Sequence, residues 1–243
     1  MQNLFIDIGN SYIKAAEKMD GKWSVVFKDK LEEESNLYAW LDKKAGRNIV
    51  VSSVVSRISE RLNSRYPGFT ISILTYRDIP AELIQYKTPE TLGMDRFLSC
   101  YGAANQVEGG VVVIDAGSAC TIDYITADHI YLGGVIMPGL RSLIRSISKD
   151  LPALPGPDTK LPADWPGRTS MDCVRWGTTG VFIEAIRGFL HRYKRSYGEF
   201  TLFVTGGDVP VLEKNLGDDI KIVKRPFLIF EGMEAFVENY GAG

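Results

Sequence analysis

Histidine and cysteine are scarce in this chain of 243 residues, which has only His129 and His191, and only Cys100, Cys120 and Cys173. Two histidines leave little material for a histidine metal site or a Ser-His-Asp triad. The cysteines lie far apart and form no Cys-x-x-Cys pair. That argues against a zinc ribbon or a disulfide scaffold and fits a reducing compartment. Excess charge of one sign is also missing. The 28 basic and 30 acidic residues leave a net charge of −2, which gives no sign of a nucleic-acid footprint or a basic membrane-binding face. No apolar run approaches the length of a bilayer span. The opening stretch MQNLFIDIGN lacks a basic n-region and a long apolar h-region, so no secretory signal is visible. A soluble cytoplasmic protein is expected, with neither nucleic acid nor membrane as partner. There is no G-x-x-x-x-G-K-[ST] stretch, which excludes a P-loop. There is no G-x-G-x-x-G after the first strand, which argues against a Rossmann dinucleotide site.

What is present is 45% hydrophobic content, enough for one large domain or two small lobes. NLFIDIG reads as a strand, SYIKAAEK as a second, and Asp20-Gly21 as a hairpin turn before SVVFK. Residues 31–46 have helical spacing, NIVVSSVV is a short apolar strand, SERLNSRY is helical, and TISILTY is another strand. A helix is expected in LGMDRFLSCYGAANQV, then three strands across residues 109–139, then the amphipathic helix LRSLIRSISKDLPAL. The Pro-, Gly- and Asp-rich stretch 151–168 reads as an exposed loop. A long helical pattern runs from Thr169 to about Tyr197, FTLFVTGGD is a strand entering a glycine turn, and FLIFEGMEAFVENY closes as a helix.

One plan occurs twice. LFIDIGNSYIKAAE and VVIDAGSACTIDYI each run apolar strand, Asp, any residue, Gly, small polar residue, strand. Asp7 and Asp115 are roughly a hundred residues apart, the size of a small domain. Asp-x-Gly turns are common after strands, so one copy would carry little. Two copies in matching contexts point to an α/β chain of duplicated lobes, residues 1–108 and 109–243, with the cleft between them as the default site.

In FIDIGNSYIK, a glycine turn lets backbone N–H groups approach a phosphate, and Lys14 could reach the same anion. Asp7 would repel phosphate but could hold magnesium, directly or through water. A hairpin with a capping aspartate and a solvated lysine accounts for the same residues. In YKTPETLGMDRF, Asp95-Arg96 stand where a helix begins. A carboxylate there could take the proton of an attacking hydroxyl, and Arg96 could grip a substrate carboxylate. A favourable helix-dipole aspartate with a surface salt bridge is the plainer reading.

The ordered set DIGNSYIK, TPETLGMDR, DAGSACTID, GGVIMPG and VTGGD resembles the type III pantothenate kinases, from Phe5 to about Gly232. Each motif alone is weak; the order is specific. The resemblance implies duplicated actin-like, ribonuclease H-like lobes of the acetate and sugar kinase, heat-shock and actin superfamily, with a nucleotide cleft between them. It implies transfer of the γ-phosphoryl group of ATP, with Mg2+, to the primary hydroxyl of pantothenate in the first step towards coenzyme A. By the same resemblance the ATP loop comprises Asp7, Ile8, Gly9, Asn10, Ser11, Tyr12, Ile13 and Lys14, and Ser118 touches ATP. Asp95 is the proton acceptor. Tyr86, Gly93, Met94, Asp95, Arg96 and Thr169 hold pantothenate, Thr169 across a homodimer interface. Asp115 binds a monovalent cation, potassium or ammonium.

Ser118 stands where the family usually has threonine, which keeps the hydroxyl and drops a methyl. Cys120 and Met94 fill variable places. Two other readings remain at this point: a transcriptional accessory factor on the same fold, and another small-molecule kinase of the superfamily, such as a sugar or acetate kinase. The intact set Asp7, Asp95, Arg96 and Asp115 favours the pantothenate kinase.

Overall fold

The computed structural model describes residues 3–44, 46, 48–217 and 220–241. The chain opens with β1 (Asn3–Ile8), β2 (Tyr12–Met19) and β3 (Lys22–Lys30), then α1 (Glu34–Leu41), β4 (Asn48–Ser53), α2 (Ser56–Arg65) and β5 (Thr70–Leu74). Asp20 and Gly21 take positive φ values of 49° and 74°, the left-handed pair that a tight β2–β3 turn requires. Helix α3 (Met94–Ala104) follows a run of single 3₁₀ turns. Next come β6 (Gly110–Ala116), β7 (Ala119–Ile125), β8 (Tyr131–Pro138), α4 (Leu140–Asp150) and α5 (Ser170–Arg175). A π turn (Trp176–Gly180) leads into α6 (Val181–Tyr197), β9 (Phe200–Thr205), α7 (Val209–Asn215), β10 (Ile222–Lys224) and α8 (Leu228–Tyr240).

The strands make two five-stranded sheets of one plan. The first has the order β3-β2-β1-β4-β5 and the second β8-β7-β6-β9-β10. In the first, β1 pairs antiparallel with β2 and parallel with β4; in the second, β6 pairs antiparallel with β7 and parallel with β9. The Asp-x-Gly echo thus marks the centre of each sheet, and Asp7 and Asp115 are the penultimate residues of equivalent strands.

The chain divides into two compact units. The first is Met1–Gln106 with Asp128–Leu132 and Phe227–Gly243; the second is Val107–Ala127 with Gly133–Pro226. Sequence order alone places everything after residue 108 in one lobe, whereas the closing helix α8 belongs to the first unit. The reason is packing against α3. A Cβ on Gly102 would stand 2.6 Å from the backbone nitrogen of Gly232, so two facing glycines let the helix backbones meet.

The faces of the first sheet follow the strand period. Leu4, Ile6 and Ile8 of β1 and Ile49 and Val51 of β4 join Leu37, Leu41, Ile58 and Leu62 of α1 and α2 in one buried core. By alternation, Phe5 and Asp7 of β1 and Val50 and Ser52 of β4 face the other side, where α3 and α8 pack. The alternation therefore sets a carboxylate and a hydroxyl among apolar residues at the carboxyl ends of adjacent strands. Among the described residues no helix is long and apolar enough to cross a membrane.

Candidate functional site

In the first unit, Asp7 is the penultimate residue of β1 and is 8% exposed. It lies opposite Lys14 of β2 and beside Ser52 of β4. The Gly9 N–H donates to the Tyr12 carbonyl at 3.0 Å and closes the hairpin. Asn10 and Tyr12 are exposed at its tip, while Ile8 and Ile13 are fully buried in the α1–α2 core. Any contact those two isoleucines make with a nucleotide is therefore a backbone contact. Ser11 is half-buried, and its carbonyl accepts from the Leu31 N–H at 2.9 Å.

Strand β4 ends in a turn in which Ser53 Oγ accepts the Val55 N–H and donates to the Val55 carbonyl, both at 3.0 Å. The start of α3 approaches this strand end. A Cβ on Gly93 would lie 3.8 Å from a Val54 methyl. Gly93 caps α3 with extended backbone, Met94 is buried, and Asp95 stands in the first turn. Asp95 Oδ1 accepts the Arg96 N–H at 2.9 Å, and the same N–H is shared with the Gly93 carbonyl at 3.2 Å. Arg96 is 9% exposed, a burial that a guanidinium tolerates only with partners. Tyr86 is half-buried in the preceding loop, its ring 6.0 Å from that of Tyr131. The neighbouring Gln85 N–H donates to the Tyr131 carbonyl at 2.9 Å. Asp7, Lys14, Tyr86 and the segment Gly93–Arg96 all belong to the first unit.

In the second unit, Asp115 near the end of β6 lies beside Thr205 of β9. Gly206 has φ +98°, and a Cβ there would stand 2.6 Å from Asp115 Oδ1, so the glycine turn leaves the carboxylate its room. Asp208 is buried, its N–H donates to the Ala116 carbonyl at 3.0 Å, and its carboxylate sits 3.6 Å from Arg141 Nε. Burial raises the Asp208 carboxyl above its ordinary value, and Arg141 pulls it part of the way back. Ser118 is exposed, and its carbonyl accepts from the Gly139 N–H and from Ser142 Oγ, both at 3.1 Å. A side chain at Gly139 would overlap the Gly117 carbonyl, so the GGVIMPG glycine brings the start of α4 against the β6–β7 turn. Cys120 is buried behind this turn, and its thiol is pushed up to about 12, first by burial and then by Asp115, Asp208 and Asp123.

Thr169 caps α5. Its Oγ1 accepts the Asp172 N–H at 3.1 Å and donates to Asp172 Oδ2 at 2.8 Å. Asp115, Ser118 and Thr169 all belong to the second unit. The sequence reading missed Ser52, Arg141 and the side-chain role of Asp208. The last two are signalled only by their positions one or two residues beyond glycine turns.

Among the described residues no group of three or more His, Cys, Asp or Glu could hold a metal by itself. Magnesium keeps several waters and takes one or two carboxylates together with substrate oxygens, and Asp7 is a strand-end carboxylate of that kind.

A model of the type III pantothenate kinase family matches residues 3–192. The type III pantothenate kinase of Christiangramia forsetii is 34% identical over 249 residues, covering 97% of this chain and 98% of its own. That of Flavobacterium johnsoniae is 32% identical over 221 residues, covering 89% and 90%. The ROK family glucokinase of Streptomyces griseus, solved with glucose and AMPPNP, superposes with a TM-score of 0.53 at 11% identity and 100% coverage of both chains. That likeness concerns the fold.

Proposed function

The chain belongs to the type III pantothenate kinase family, and we propose that Asp95 is the base of its reaction. The enzyme uses ATP to phosphorylate pantothenate, a step of coenzyme A biosynthesis. Family membership, rather than the fold shared with sugar kinases, sets the acceptor.

The observation that carries the role of Asp95 is its tether. With Oδ1 accepting from the Arg96 N–H, the carboxylate is turned towards the first turn of α3. Asp95 accepts the proton of the pantothenate hydroxyl as that oxygen bonds to the γ-phosphorus and ADP departs. Arg96 pairs with the pantothenate carboxylate, and Tyr86 and Gly93–Met94 line its place. The β1–β2 turn, Asp7 to Lys14, offers backbone donors and the Lys14 ammonium to the phosphates. Asp7 takes the magnesium, which offsets triphosphate charge when bound. Positioning and charge stabilisation supply most of the acceleration in phosphoryl transfer.

In the second unit, Ser118 contacts ATP and Asp115 holds potassium or ammonium. The carboxylates Asp115, Asp123 and Asp208 around Cys120 supply the negative charge that such a cation would offset. The enzyme works as a homodimer in which Thr169 reaches the partner's pantothenate.

ADP release with pantothenate, glucose, N-acetylglucosamine and acetate as acceptors tests the activity. Turnover with pantothenate alone is expected. Turnover with a sugar or acetate in its place would overturn the reading.

A further inference from the structure

Ser52 is fully buried, yet its Oγ has no hydrogen-bond partner among the described residues. A buried hydroxyl left in that state is destabilising, so its presence in a strand of isoleucine and valine calls for a reason. Its neighbour Ser53 does have one, since it closes the turn after β4. The register supplies a reason for Ser52. In the parallel pair β1–β4 it stands directly beside Asp7, and adjacent residues of paired strands point to the same face. That face is the one on which α3 packs, away from the α1–α2 core.

The second sheet repeats the pair. Asp115 of β6 stands beside Thr205 of the parallel strand β9, and Thr205 is also buried. Both strand-end carboxylates therefore have a hydroxyl neighbour on the equivalent strand. The two sheets thus share a carboxylate–hydroxyl pair at equivalent positions.

We propose that Ser52 is a positioning residue for the Asp7 carboxylate. Its hydroxyl donates to Asp7, or to the water that Asp7 holds, when magnesium and ATP are bound, and so fixes the oxygen presented to the cation. The role rests on Asp7 being the magnesium-side carboxylate. It is an outer-shell role of the kind whose loss weakens metal affinity by about 10–100-fold.

The test is calorimetric binding of ATP to the full-length protein across a magnesium titration, without pantothenate. Ser52→Ala should raise the magnesium concentration needed for half-maximal ATP binding about tenfold or more, while the weak binding of ATP without magnesium stays unchanged. Ser59→Ala is the matched control. Its Oγ is likewise buried and without a partner, but it lies on α2, so the magnesium dependence of that variant should follow the wild type. Asp7→Asn separates the two layers of the argument. If Asp7→Asn shifts the magnesium dependence and Ser52→Ala does not, the role of Ser52 is overturned alone. If neither variant shifts it, the assignment of Asp7 fails and the role of Ser52 with it.

Discussion

A Cβ built on Gly93 would stand 2.5 Å from Asp95 Oδ1, the oxygen that accepts the Arg96 N–H. Gly93 has ordinary extended backbone, so the glycine is there for space rather than for a left-handed turn. Gly93→Ala should push the carboxylate off its tether while leaving the fold intact. Turnover should fall about 100-fold, as expected for a misplacement near 1 Å, with the ATP dissociation constant little changed. Steady-state kinetics beside calorimetry measures both, and normal turnover would show that the tether does not matter.

Asp115 predicts a cation requirement. Activity in potassium or ammonium should fall to a small fraction when sodium replaces them, and Asp115→Asn should lose the distinction between cations. Assays at constant ionic strength check this. Equal rates in sodium and potassium for the unaltered enzyme would count against the role.

The three thiols should differ in reactivity. Cys120 is buried, with its thiol pushed up to about 12, and Cys100 is buried as well, while Cys173 is exposed. The thiolate is the reacting form. Iodoacetamide at mildly alkaline pH should therefore modify Cys173 first, with Cys100 and Cys120 labelled only after unfolding. Peptide mass spectrometry over a time course reads this directly, and early adducts on Cys120 would contradict its described burial.

How much of this was legible in the residues differs from place to place. The strands around Asp7 and Asp115 were legible because apolar runs ending in Asp-x-Gly carry both a period and a stop, and the two matching sheets give the echo its topology. Gly93-x-Asp95 was legible as a motif, but the contact that requires the glycine was not, because a helix start seen as letters shows no distances. Ser52 was hidden in NIVVSSVV. Its face depends on parallel register with a strand some forty residues earlier, which no local pattern encodes. The return of α8 to the first unit was hidden for the same reason, since it depends on Gly102 meeting Gly232. Helix α7 was missed because it is one short run that begins beside Pro210.

Asp208 gives the stability a pH dependence. Burial raises its carboxyl above the ordinary value and Arg141 partly opposes this. Between the ordinary and the raised value the folded protein holds a proton that the unfolded chain has released. This contribution to stability is thus full at the acid end and is lost as pH rises through the folded value. Asp208→Asn removes the loss. The variant should melt above the wild type at neutral pH, and the gap should close as pH falls into the ordinary carboxylate range. A melting-temperature offset that does not vary with pH would contradict the assignment.

The central claim is that Asp95 takes the proton from the pantothenate hydroxyl, and Asp95→Asn tests it most directly. The amide keeps the shape, and its oxygen can still accept the Arg96 N–H, but it cannot serve as the base. ATP binding by calorimetry should remain close to that of the wild type, while pantothenate-dependent ADP release should fall by about 10²–10⁴-fold. Near-normal turnover in that variant, with ATP still bound, would contradict the account.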